Sequence, residues 1–233
     1  MNKMWLFHRG AVLLATALFS SGLIAEETMT VELTFTPDLN NGRNVYETCA
    51  SCHLPEGWGS SDGAYPQIAG QHQQVLLKQL LDIRDGHREN SIMYPFVQER
   101  TIGGYQSLVD VVTYITRMPM HPRHKQGPFS DFSDEYKQGE QLYQKHCASC
   151  HGAEGGGNDK TRTPKLYGQH YPYVLRQIDL IRKELRSVDP VMKRGVDQLS
   201  PEELMMIVNY VSWIEVPEGE KAPSANWRNT DFY

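Results

Sequence analysis

The chain has 233 residues, 39% hydrophobic and 22% charged, with a net charge of −5 at neutral pH. The length accommodates one or two domains, and an acidic balance without a basic stripe excludes a nucleic-acid binder. Residues 1–25 have the layout of an export signal. Lys3 and Arg9 make a positive start, an apolar run covers 10–24, and Ala25 offers a small residue for cleavage before Glu26. That run is short for a bilayer span, although a retained signal could still anchor the chain. Without it, residues 26–118 carry a net charge of −6 and residues 119–233 only −1. Such lopsidedness can orient a protein toward a charged partner; solvated faces are the plainer reading.

In chain order, a short helix from about Asn41 runs into Cys49-Ala50-Ser51-Cys52-His53. A second helix follows Pro66-Gln67-Ile68-Ala69-Gly70-Gln71-His72, and a third carries Leu108, Val111, Val112 and Ile115 at helical spacing. Residues 119–133, with three prolines and a glycine, read as an extended linker. The outline then repeats. A helix from about Asp134 leads into Cys147-Ala148-Ser149-Cys150-His151, and Pro164-Lys165-Leu166-Tyr167-Gly168-Gln169-His170 precedes a middle helix. The last helix opens on Ser200-Pro201-Glu202-Glu203, which reads as an N-cap, a proline at the first helical position and a capping box. Residues 217–233 lack periodicity and read as a surface or mobile tail, whose aromatic end suits docking on a partner. Strand-like alternation is weak, so the class is all-α. Residues 26–118 and 134–216 read as duplicated helical domains.

Both cysteine motifs have the form Cys-x-x-Cys-His, the attachment signature of haem c. Two thiols at this spacing reach the two vinyl groups of one porphyrin, and the adjacent histidine is placed to bind the iron. All four cysteines are used by the two motifs. A four-cysteine zinc site would bring its pairs closer in sequence than the 98-residue offset seen here. A thioredoxin-like pair would follow a strand. Two covalent haem groups are therefore expected, bound by Cys49, Cys52, Cys147 and Cys150, with His53 and His151 on the irons. A haem-bound core also makes up for the small core of each domain.

The sixth ligand separates a carrier from an enzyme, because an open iron binds small molecules. Met93 and Met192 lie between the middle and final helices of each half at nearly the same repeat position, and are the expected ligands. Met205 and Met206 read as core, and Met118 and Met120 as structural. His72 and His170 recur too, and read as packing or hydrogen-bonding residues near the haem, with bis-histidine ligation the lesser reading. His87, His121, His124 and His146 have no counterpart in the other half. The carbonyls of Pro66 and Pro164 suit the second ring nitrogen of each proximal histidine. Gly70 and Gly168 would let backbone approach the porphyrin, and Arg84 and Arg182 could face haem propionates or solvent.

Taken together, the paired motifs, the Gly-x-x-x-Tyr lead-ins at Gly42–Tyr46 and Gly139–Tyr143, the Pro-x-x-x-Gly-Gln segments and the placed methionines resemble the dihaem cytochrome c4 family of bacteria. The resemblance spans about Asn41 to Trp213. It implies two tandem class I cytochrome c domains about a pseudo-twofold axis, with His/Met-ligated haems close enough to exchange electrons. It also implies a periplasmic electron carrier, sometimes peripherally attached to the membrane. Its donor would be a dehydrogenase or bc-type complex, and its acceptor a terminal oxidase. The longer linker and the tail depart from the family. A dihaem electron-accepting subunit of a periplasmic dehydrogenase is the alternative, and peroxidase or thiosulfate dehydrogenase activity the enzyme reading.

Overall fold

Asp38 opens the first helix by accepting hydrogen bonds from the backbone N–H groups of Asn40 (2.9 Å) and Asn41 (3.2 Å). In this computed structural model, which describes residues 36–233, α1 then spans Leu39–His53. The expected signal, 1–25, lies outside the described residues. The first half continues with α2 (Gln73–Arg84), a 3₁₀ turn (Tyr94–Phe96), α3 (Glu99–Ile102) and α4 (Gly104–Thr116). The second half holds α5 (Asp134–His146), α6 (Ala148–His151), α7 (Tyr171–Arg182), α8 (Pro190–Asp197) and α9 (Pro201–Trp213). A last 3₁₀ turn covers Thr230–Phe232. Among the described residues only isolated bridges form, and no strand.

The three expected helices of each half are present, and Ser200 and Glu203 close the capping box at α9. Three short helices, α3, α6 and α8, add to that outline. α8 begins as α9 does: Asp189 accepts from Val191 N–H at 2.7 Å and Pro190 takes the first helical position.

Each half is centred on a close helix crossing, α1 on α4 and α5 on α9. Glycine is needed at both: a Cβ on Gly42 would strike the Asp110 carbonyl, and one on Gly139 the Met206 carbonyl. One turn on, Tyr46 and Tyr143 are fully buried. Their hydroxyls donate to Leu54 O (2.7 Å) and Gly152 O (2.6 Å), the first residue after each Cys-x-x-Cys-His motif. The second-half core groups Tyr143, Ile181, Leu204, Ile207 and Val211.

The linker is free of helix yet anchored at several points. Gly127 N–H donates to Ser212 Oγ (2.8 Å), Phe129 exchanges hydrogen bonds with the buried Asn209 side chain, and Met120 is 2% exposed. Of the two readings of the tail, the structure takes the surface one, with its aromatics set against this chain's own first half. The tail pairs beside Met120, through Glu220 O and Ala222 N–H, then crosses to the first half. There Asn229 Nδ2 donates to Pro55 O (2.9 Å) and Tyr114 Oη (3.0 Å), Phe232 lies edge-on to Tyr46, and Trp227 faces Trp58. These contacts were invisible to periodicity because they are single side chains meeting across more than a hundred residues.

Candidate haem centres

In the first half, α1 delivers Cys49, Cys52 and His53 to a cavity of about 290 Å³. Met93, Phe96 and Ile102 line the same cavity. Met93 is held at the start of the 3₁₀ turn, where its N–H donates to Asn90 Oδ1 at 3.1 Å. In the second half Cys147, Met192, Leu166 and Ile178 pack against one apolar cluster. The first half therefore gathers the motif and its expected methionine around one cavity, and in the second Cys147 and Met192 share one apolar cluster.

The proximal histidines are oriented alike. His53 Nδ1–H donates to Pro66 O at 3.0 Å, and His151 Nδ1–H to Pro164 O at 3.2 Å. A carbonyl only accepts, so each ring is fixed with its proton on Nδ1 and a lone pair on Nε2. Burial lowers both pKa values, against the opposing effect of those carbonyls, and Arg88 lowers His53 further. A neutral imidazole is the form that binds iron.

The four thiols form no disulfide. Burial pushes Cys49 up to about 12 and Cys147 up to about 11, unlike the acidic thiolate of a redox pair. The two pairs also stay apart: among the described residues no group of three or more His, Cys, Asp or Glu could hold a metal ion. That removes the four-cysteine zinc reading.

His72 and His170 are occupied elsewhere. His170 Nδ1 accepts from Lys125 N–H (3.1 Å), so its Nε2–H donates to Trp58 O (2.8 Å), and both ring nitrogens are engaged. His72 Nε2–H donates to Gly156 O at 2.8 Å. Gly70 and Gly168 have φ of 67° and 74°, and what lies against them is the seam between the halves. A Cβ on Gly70 would meet Met120 Cγ at 2.9 Å, and one on Gly168 would meet Gln67 Nε2 at 2.7 Å.

Arg84 pairs with Asp85 at 3.3 Å, and Arg182 is exposed. A different recurring pair, Arg88 and Arg186, comes together at the seam. Arg88 donates to Gln79 (2.5 Å), Tyr173 Oη (2.9 Å) and Gln177 (3.1 Å); Arg186 donates to Gln177 (2.8 Å) and Gln79 (3.2 Å). Neither has a carboxylate ion pair among the described residues, and Arg186 Nε is shielded from water without a partner. Burial and the neighbouring Arg88 bring Arg186 down to about 10. Burial pushes the Tyr173 phenol up, but Arg88 and Arg186 outweigh it and bring it down. Two facing cations with an unused donor, and with Asp82 acting only from beyond ion-pair distance, make a site that haem propionates would fit. The 98-residue spacing of Arg88 and Arg186 was the signal for this pair in the sequence.

Two tandem all-helical domains, each with an intact Cys-x-x-Cys-His motif against apolar residues, define a dihaem c-type cytochrome, carrying two covalently bound haem c groups. The family model for cytochrome c matches residues 39–118 and again 136–215, so the chain belongs to the cytochrome c family. It is 29% identical to a cytochrome c4 of Thiocapsa roseopersicina over 70% of this chain and 85% of that one. It is also 29% identical to a thiosulfate dehydrogenase electron acceptor of Thiomonas intermedia, over 62% and 67%. Reduced recombinant cytochrome c4 from Pseudomonas stutzeri superposes with a TM-score of 0.65 at 26% identity, covering 77% of this chain and all of that one. The chain is an electron-transfer protein.

Proposed function

We propose that this chain is an exported, periplasmic carrier of single electrons, taking them from a dehydrogenase or bc-type complex and passing them to a terminal oxidase or similar acceptor. The observation that carries this reading is the shared pocket of Cys49, Cys52, His53 and Met93. A thioether inside that pocket closes the iron to substrates and raises its potential. His53 and Met93 would hold the first iron, His151 and Met192 the second, and Cys49, Cys52, Cys147 and Cys150 the porphyrins. When bound, each haem supplies one reversible electron. Pro66 and Pro164 keep the proximal rings in one tautomer. Arg88 and Arg186 would take propionates at the seam, leaving Arg84 and Arg182 to the solvent-facing alternative.

The signal-like layout of residues 1–25 and covalent haem support the periplasm. Among the described residues no helix is long and apolar enough to cross a membrane. A spectroscopic redox titration with carbon monoxide added to the reduced protein tests the reading. Two one-electron steps, six-coordinate spectra and no rapid carbon monoxide binding are expected. Stoichiometric binding at either haem would overturn it.

The likeness to thiosulfate dehydrogenase electron acceptors favours a second reading, a dihaem subunit that serves one dehydrogenase. Purification from the native host decides between them. A stoichiometric catalytic partner that survives salt supports the subunit, and a single free chain the carrier.

A further inference from the structure

The seam between the halves is built from two matching sets of hydrogen bonds, related to one another by the 98-residue repeat. Gln169 Oε1 accepts from Gln67 N–H (3.0 Å), and Gln169 Nε2 donates to Gln67 O (2.8 Å). In mirror fashion, Gln71 Oε1 accepts from Lys165 N–H (2.9 Å), and Gln71 Nε2 donates to Lys165 O (3.0 Å). Each glutamine thus grips the backbone of the opposite half with both ends of its amide.

The gripped N–H groups are not ordinary ones. Gln67 N–H and Pro66 C=O belong to a single planar peptide group, and that carbonyl receives the His53 Nδ1–H. Lys165 N–H shares its peptide with Pro164 C=O, which receives His151 Nδ1–H. Two continuous chains result: His53 to peptide 66–67 to Gln169, and His151 to peptide 164–165 to Gln71. Hydrogen bonds in series polarise one another, strengthening each by roughly 10–30%. An acceptor on the peptide N–H makes its carbonyl a better acceptor for the imidazole. A stronger bond at Nδ1 makes Nε2 a stronger donor to whatever it ligates.

We propose that Gln71 and Gln169 are positioning residues that tune the redox centre of the opposite half: Gln169 acts on the haem of Cys49 and Cys52, and Gln71 on that of Cys147 and Cys150. The inference rests on His53 and His151 being the proximal ligands. Each half then contributes a side chain to the electronics of its twin. A covalent tandem keeps this arrangement in place, whereas two separate domains would lose it on dissociation.

The test uses the full holoprotein and its Gln169→Met and Gln71→Met variants, which keep side-chain length without hydrogen bonding. The midpoint potential of each haem is followed through its own NMR signals, and exchange of the His53 and His151 ring Nδ1–H through ¹⁵N-labelled histidine. Gln169→Met is expected to raise the potential of the first-half haem and speed exchange at His53, with the second-half haem unchanged; Gln71→Met should do the converse. Shifts confined to the variant's own half, equal shifts in both, or none would overturn the proposal. Should neither variant fold, the wild type still decides: the Gln169 side-chain amide must respond to oxidation of the first-half haem rather than its own. Wild-type spectra test the proximal ligands independently, so crossed tuning and the ligand assignment fail by different signs.

Discussion

Leu54 occupies a backbone conformation (φ 68°, ψ 158°) that glycine favours, and its counterpart Gly152 has φ 80° and ψ 154°. Both follow a haem motif, and both carbonyls receive the tyrosine hydroxyl that turns the chain. A non-glycine residue there costs about 1–3 kcal/mol, partly offset by the smaller unfolded-state entropy of leucine. Leu54→Gly should therefore stabilise the holoprotein by about 1 kcal/mol, read from its guanidinium midpoint. The axial methionines make a sharper test. Met93→Ala should lower the potential of one haem and open it to carbon monoxide, and Met192→Ala the other. A redox titration of each variant, with carbon monoxide difference spectra, checks both.

At the level of elements, the linker and the tail are tied to the helices by specific side-chain contacts. His124 in the linker donates from Nε2 to Ser212 O at 2.7 Å, and burial brings its pKa down to about 4 against that carbonyl's opposing effect. The unfolded chain, with a histidine near 6.5, binds the proton more readily. This contribution to stability is complete above about pH 6.5 and is lost as pH falls toward 4, amounting to about 2–3 kcal/mol. Urea midpoints across pH 4–7 should show that loss in the wild type and a flatter profile in His124→Gln. In the tail, Asn229 is 6% exposed and bridges Pro55 O and Tyr114. Asn229→Ala leaves a partly buried carbonyl unpaired and should destabilise the first half by about 1 kcal/mol, measured by hydrogen exchange of α1 and α4 amides.

For the molecule as a whole, each half has a small core; the first surrounds a pocket lined by Cys49, Cys52 and His53, and the second packs Cys147 against its apolar cluster. Domains of this size bury little apolar surface alone. Cys147→Ser with Cys150→Ser should give a protein carrying one haem, with a molten second half and reduced helical circular dichroism. The charge asymmetry, −6 over residues 26–118 against −1 over residues 119–233, acts at the same scale. Electron exchange with a basic redox partner should slow as ionic strength rises, because exposed charges are screened within about 10 Å at 0.1 M salt; stopped-flow rates against salt measure this.

Covalent chemistry and local periodicity were readable from residues alone. Cys-x-x-Cys-His dictates haem attachment by spacing, the 98-residue repeat dictates two copies, and the capping box at Ser200 is a short-range signal. Even the prolines that orient the proximal rings follow from donor and acceptor chemistry. What only the tertiary structure decided is who meets whom across the repeat. Arg88 faces Arg186, Gln71 and Gln169 grip the opposite half, and the tail folds back on Tyr46 and Tyr114. Such contacts are made by single polar or aromatic side chains far apart in sequence, and they leave no period behind. Their partners are fixed by how two packed halves dock, a property of surfaces in space that no stretch of chain encodes by itself.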